Sequence, residues 1–215
     1  MKKIVLLLVG LTITIFANGQ IVKVQGGTSI SEIDWKLNGF NSGLFNEKLI
    51  GYSIFAGIDY FDKQCFNLSS NIGVIRTGGK NKIQFTDQSA LPIQALIEKA
   101  TLDYLSINTT IDFKYRMKKT IFPFISFGPR FDYLLNSSKY FDVLDEFGGL
   151  KSISIGLILG AGIKYDISNL QIGLRADYYL NFTKVADWTI ENSGDGGKIS
   201  VNTFTINLSI GYRLK

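Results

Sequence analysis

The 215-residue sequence is long enough for one domain of ordinary size and carries 23 basic against 18 acidic residues. Hydrophobic residues make up 46% and aromatics 13%, while histidine is absent and cysteine occurs once. These values exclude a Ser-His-Asp triad, histidine metal sites and a disulfide framework, and they give no support to nucleic-acid binding.

The chain opens with Lys2 and Lys3, an apolar run from Ile4 to Phe16, and the small-residue stretch Ala17-Asn18-Gly19. That order predicts a secretory signal at 1–19, cleaved to leave a mature domain at 20–215. The run is too short to span a bilayer comfortably, and Cys65 lies too far from the cleavage site for a lipid-modified N-terminus. Without Lys2 and Lys3 the chain has 21 basic and 18 acidic residues, a net charge of +3. Beyond the signal no apolar run reaches the roughly eighteen residues that a transmembrane helix needs.

From Gln20 onward the chain is dominated by strict alternation, the mark of strands with one apolar and one polar face. A first strand at about 20–33 has an uncertain phase at Gly26-Gly27, where a bulge is expected. Seven clearer ones are YSIFAGIDYF, FNLSSNIGV, LSINTTIDFKY, ISFGPRFDY, ISIGLILGAGIKY, LQIGLRADYYLNF and the terminal FTINLSIGYRL. In the last, Phe204, Ile206, Leu208, Ile210, Tyr212 and Leu214 alternate with Thr205, Asn207, Ser209, Gly211 and Arg213. Short turns fall near Asp62-Lys63, Lys118-Lys119 and Ser168-Asn169, and long segments at roughly 34–48, 77–100, 134–150 and 184–199.

The expected fold is therefore all-β: an eight-stranded antiparallel up-and-down transmembrane β-barrel with short periplasmic turns and four long extracellular loops. Alternate strands end in an apolar residue, any residue, then tyrosine, which gives Tyr60, Tyr115, Tyr165 and Tyr212. An apolar ring with a polar tip suits a membrane–water boundary, so these four are expected to form a girdle.

Periodicity alone leaves open which face points out, since a soluble lipid-binding barrel would hold its apolar face inside. The polar face carries Asp59, Asp112, Lys114, Arg116, Arg130, Asp132, Lys164, Asp166, Arg175, Asp177 and Arg213, with many glycines between them. Charge of nearly balanced sign fits an interior, where ions must be paired, and glycine makes room for long side chains across a narrow lumen. The apolar face is assigned to lipid.

ANGQ at the signal end, LDYLSINTTIDFKY followed by FPFISFGPRFDYLL, the glycine-rich SIGLILGAGIKY and the terminal LSIGYRLK resemble the outer-membrane β-barrel family of Bacteroidota, the PorT-like "porin family" proteins. The resemblance implies a cell-outer-membrane location, and it leaves activity open because a fold does not fix function.

Candidate chemistry is sparse. Asp112, Asp132 and Asp177 read as ion-pair partners of Lys114, Arg130 and Arg175, so no catalytic, cofactor or metal residue is expected. TGGK (Thr77–Lys80) lacks phosphate-loop spacing and reads as a turn, and ENSGDGGK (Glu191–Lys198) as a loop without a calcium pattern. LPIQALIEKA (Leu91–Ala100) can form a short helix capping a loop, and Trp35 and Trp188 can anchor the outer interface. Cys65 reads as an idle thiol.

The expected function is a non-enzymatic structural or interaction platform with a charge-filled lumen and partner-binding extracellular loops. A small porin-like channel, or a secreted soluble lipid-binding barrel, is the alternative. Expected partners are outer-membrane lipid, the outer-membrane barrel assembly machinery during biogenesis, and a protein at the extracellular loops, with no nucleic acid.

Overall fold

A computed structural model describes residues 20–63, 65–86, 92–117, 120–142, 144, 149–189 and 196–214. The expected signal at 1–19, the Lys118-Lys119 turn and most of the ENSGDGGK loop lie outside them.

Eight long strands close into a ring: β1 (Ile21–Leu37), β3 (Glu47–Tyr60), β4 (Phe66–Thr86), β5 (Pro92–Lys114), β6 (Ile121–Ser137), β7 (Ile153–Ile167), β8 (Leu170–Asn181) and β10 (Gly196–Arg213). Each pairs antiparallel with its chain neighbour, and β10 returns to β1 along an unbroken register from Ile21↔Arg213 to Leu37↔Gly197. Closure leaves no sheet edge around the barrel, the condition for a β-structure to stand in lipid. Two short strands, β2 (Phe40–Asn41) and β9 (Ala186–Thr189), lie in long connections.

The alternation decides the faces. Lys23, Gln25, Ser29 and Ser31 of β1 are buried, whereas Val22 and Val24 are exposed, and the same pattern holds in β10, where Thr203, Thr205 and Asn207 are buried between exposed Phe204, Ile206 and Leu208. The apolar face points outward, the reverse of a soluble ligand-holding barrel. Glycines on the inner face take the place of a side chain. A Cβ at Gly57 would sit 2.2 Å from Asn71 Oδ1, and one at Gly160 would sit 2.1 Å from Asp177 Oδ1.

Three local expectations change. β1 runs through Gly26-Gly27 without a bulge, because Gly27 is accommodated against Asn207 and the register stays continuous. The irregularity lies between β3 and β4, across Lys48/Ser53, opposite Gly78, whose φ of +145° a side chain would not tolerate. Thr77–Lys80 is therefore the interior of a strand and not a turn. Pro92–Ala100 is strand and not helix, because it pairs with β4 as far as Thr86↔Pro92 and extends the hairpin beyond the barrel. Asn38-Gly39, with φ of 50° and 83°, makes a two-residue hairpin turn into β2.

Candidate functional site: the filled lumen and its two ends

The inward side chains stack in layers. Nearest the short turns, Lys164 of β7 reaches across the barrel to Asp59 of β3 and Asp112 of β5, 2.8 Å from each carboxylate. Lys23 of β1 holds the other oxygen of Asp59 at 2.5 Å and donates to Ser69 at 2.7 Å. Asn67 and Thr110 donate to Asp112 at 3.2 and 3.0 Å. Two lysines thus meet two aspartates.

The next layer is mostly amide and hydroxyl. Gln25 donates to Asn71 and Asn71 to Asn108, each at 2.8 Å, while Ser53 donates to Asn207 at 2.6 Å. Arg175 clamps Asp177 with two bonds of 2.8 and 2.7 Å and faces the Phe124 ring. Above it Arg130 pairs with Asp132 at 2.8 Å, stacks on Tyr179 with its guanidinium carbon 4.4 Å from the ring centre, and donates to Asn181. Among the described residues four cations and four anions fill this interior, all at most 5% exposed. Cavities of about 20 and 10 Å³ are left between the layers, room for about one water each.

Higher still, the pattern inverts. Ile33, Ile75, Ala100, Leu102, Tyr104, Ile199 and Val201 point inward and are buried. Their strand neighbours Glu32, Asp34, Arg76, Asp103, Lys198 and Asn202 point outward. Arg76 and Asp103 form a two-bond pair at 2.7 and 2.8 Å on that outer wall, beside Tyr52. Inward apolar and outward charged residues are what a sheet needs when water lies outside it, so the inversion marks where the wall leaves the hydrocarbon. Three connections close this collar. Phe45 comes from the first, Phe141 from the 3₁₀ turn Lys139–Phe141, and Val185 and Ala186 from the last. Trp35 stacks on Phe45 and Phe141 at 6.4 and 6.3 Å.

Of the residues expected in the charged lumen, Asp59, Asp112, Lys164, Arg175, Asp177, Arg130 and Asp132 lie inside it. Lys114, Asp166 and Arg213 stand at its lower rim, where Lys114 pairs with Asp62 and Arg213 with Asp166 at 2.8 Å. Arg116 is a correction: β5 ends at Lys114, so Arg116 is exposed beyond the strand, over the Phe122 ring. Trp35 and Trp188 are a second correction. Both pack against the collar core, since their strands turn apolar side chains inward there, and neither serves as an outer anchor. Tyr115, Tyr165 and Tyr212 are exposed on the outer face near the short turns, and Tyr60 is half-buried there, its hydroxyl 3.1 Å from Ser70. Lys23 escapes the sequence reading because it lies in the strand whose phase is uncertain; with that phase fixed, a lysine at an inward position is visible.

The family model described as outer membrane protein beta-barrel domain matches residues 9–187. Among solved structures, the chain is similar to outer membrane protein W of E. coli at 14% identity and a TM-score of 0.49, over 93% of this chain and 100% of that one. Neisserial surface protein A gives 12% identity and 0.48, over 90% and 97%. Ail of Yersinia pestis, in complex with a heparin analogue, gives 16% and 0.43, over 92% and 100%. No curated protein matches the sequence.

Proposed function

Because the chain belongs to the outer membrane protein beta-barrel domain family, we propose that it acts in the outer membrane as a closed, non-enzymatic platform whose long loops meet a protein partner. The observation that carries this reading is the double seal. A ladder of paired ions and amides fills the membrane zone, and an apolar plug built on Phe141, Phe45 and Trp35 fills the collar. Eight strands enclose a lumen that side chains can fill, so no channel has to remain.

In this reading residues 1–19 are a signal cleaved before Gln20, the chain is PorT-like and of Bacteroidota type, and Tyr60, Tyr115, Tyr165 and Tyr212 sit at the inner interface. Assembly in the membrane would pass through the barrel assembly machinery, and lipid would cover the apolar wall. The lumen charges serve packing rather than catalysis: every acid inside is held by a lysine or arginine.

The test is conductance. Purified barrel reconstituted in planar bilayers is expected to give no stepwise current at physiological salt. A steady open state would overturn the closed platform in favour of the small porin.

A further inference from the structure

At the short-turn end the ion ladder gives way to an open vestibule of about 180 Å³, space for about six waters. Its floor includes the Asp59–Lys164 pair, both members already neutralised within the two-lysine, two-aspartate layer. Its rim is unbalanced. Lys114 is taken by Asp62 and Arg213 by Asp166, but Lys63 and Arg116 also line the cavity. Among the described residues neither side chain is held in an ion pair, and each lies over a ring. Lys63 Nζ is 5.6 Å from the Phe61 centroid, and the Arg116 guanidinium is 5.4 Å from that of Phe122. A guanidinium lying over a ring keeps its in-plane N–H edge free, the edge that meets a carboxylate or phosphate in two bonds.

Charge elsewhere in the chain sharpens this asymmetry. By sequence, the three short turns carry Lys63, Arg116, Lys118 and Lys119 against Asp62 alone. The four long connections carry three basic residues against seven acidic ones. The collar strands at that end add Lys36, Lys48, Lys80, Lys82 and Lys99 and bring it near balance, so the cationic excess belongs to the short turns. The vestibule is lined by Lys63, Lys114, Arg116, Lys164 and Arg213 against Asp59, Asp62 and Asp166, and a concave site with an excess of positive charge raises the local concentration of anions.

We propose that the vestibule is an oxyanion site, taking a phosphate or carboxylate group from the periplasmic side, with Lys63 and Arg116 as its binding residues. The anion sits between the two cations, on the short-turn side of Lys164, and excludes some of the water that otherwise fills the cavity. Because the mouth is open, binding weakens as salt rises.

The experiment titrates inorganic phosphate into the refolded barrel in maltoside micelles at low ionic strength, following backbone amide shifts. Saturable shifts confined to the short turns are expected, with chloride at equal ionic strength giving none. The double variant Lys63→Ala/Arg116→Ala, altered only at exposed positions, is expected to weaken phosphate by tenfold or more, and Lys198→Ala at the opposite end to leave it unchanged. Shifts that never saturate, that chloride reproduces, or that survive the double variant overturn the site. In lipid nanodiscs, phosphate binding that weakens when the lipid is made anionic supports the site and assigns it to a lipid headgroup. Binding indifferent to lipid charge supports it as a site for a dissolved anion. Neither arm depends on whether the barrel conducts, so failure here is distinct from failure of the closed-platform reading.

Discussion

Replacing Lys164 with methionine is expected to cost about 3–5 kcal/mol of barrel stability, because it leaves a buried carboxylate without its cation. Lys164 is 2.8 Å from both Asp59 and Asp112, and all three are buried inside the lumen. After the substitution Lys23 still holds Asp59 at 2.5 Å, but among the described residues the hydrogen-bond donors left to Asp112 are the neutral side chains of Asn67 and Thr110. The damage should therefore fall on Asp112. Adding Asp112→Asn to Lys164→Met removes the orphaned charge and should restore about 1–3 kcal/mol, a coupling expected of residues in direct contact. Urea unfolding in lipid vesicles, read by tryptophan fluorescence, measures both numbers. A loss below about 1 kcal/mol for Lys164→Met, of the size typical of solvent-exposed pairs, would mean that water reaches the pair and the lumen is not sealed.

Truncating Phe141 to alanine should be of similar size, about 3–5 kcal/mol, for a different reason. Its ring is fully buried at 0% exposure, and it lies nearly parallel to Trp35, with centroids 6.3 Å apart. Removing it opens an apolar hole in the plug and frees the turn that carries it. The plug lies above the level at which the wall reverses polarity, so the loss should stay local. Amide hydrogen exchange should speed up in the collar ends of β1, β5 and β10 and stay slow around Lys164. Trp35 emission should shift to longer wavelength. Uniform loosening of the whole barrel would instead mean that the plug and the ion ladder form one cooperative unit.

The membrane zone is legible in the sequence because there both faces carry contrast. Ile206, Leu208 and Ile210 against Thr205, Asn207 and Ser209 leave one register consistent with a lipid-facing wall. The inward charges follow from the same phase. Their partners do not, because Asp59 meets Lys164 105 positions away, across the lumen, and alternation says nothing about which strands face each other. Legibility fails in the collar. From Ile75 upward in β4 and from Tyr104 upward in β5 the buried inward residues Ile75, Tyr104, Leu102 and Ala100 are apolar, and the outward ones include Arg76 and Asp103. A pattern that reverses within one strand reads as the strand's end, so 77–100 passes for a loop with a helix in it. Trp35 misleads for the same reason: tryptophan near a long loop suits an interface, unless the strand has already turned its apolar side inward. Arg116 falls one step too far, because the alternation continues past Lys114, where the strand stops.

The measurement that bears most directly on a lipid-facing wall around a filled lumen is site-directed cysteine labelling in a Cys65→Ser background. Ile155→Cys and Leu157→Cys probe the outer face of β7, and Ser126→Cys and Thr205→Cys probe inward positions that are 4% and 0% exposed. In intact outer membranes the first pair should react with a lipid-phase thiol reagent and not with a water-soluble one, while the second pair should react with neither. Rapid labelling of Ser126→Cys and Thr205→Cys by the water-soluble reagent would contradict the filled lumen, and labelling of Ile155→Cys and Leu157→Cys by that reagent would contradict the membrane-spanning wall itself.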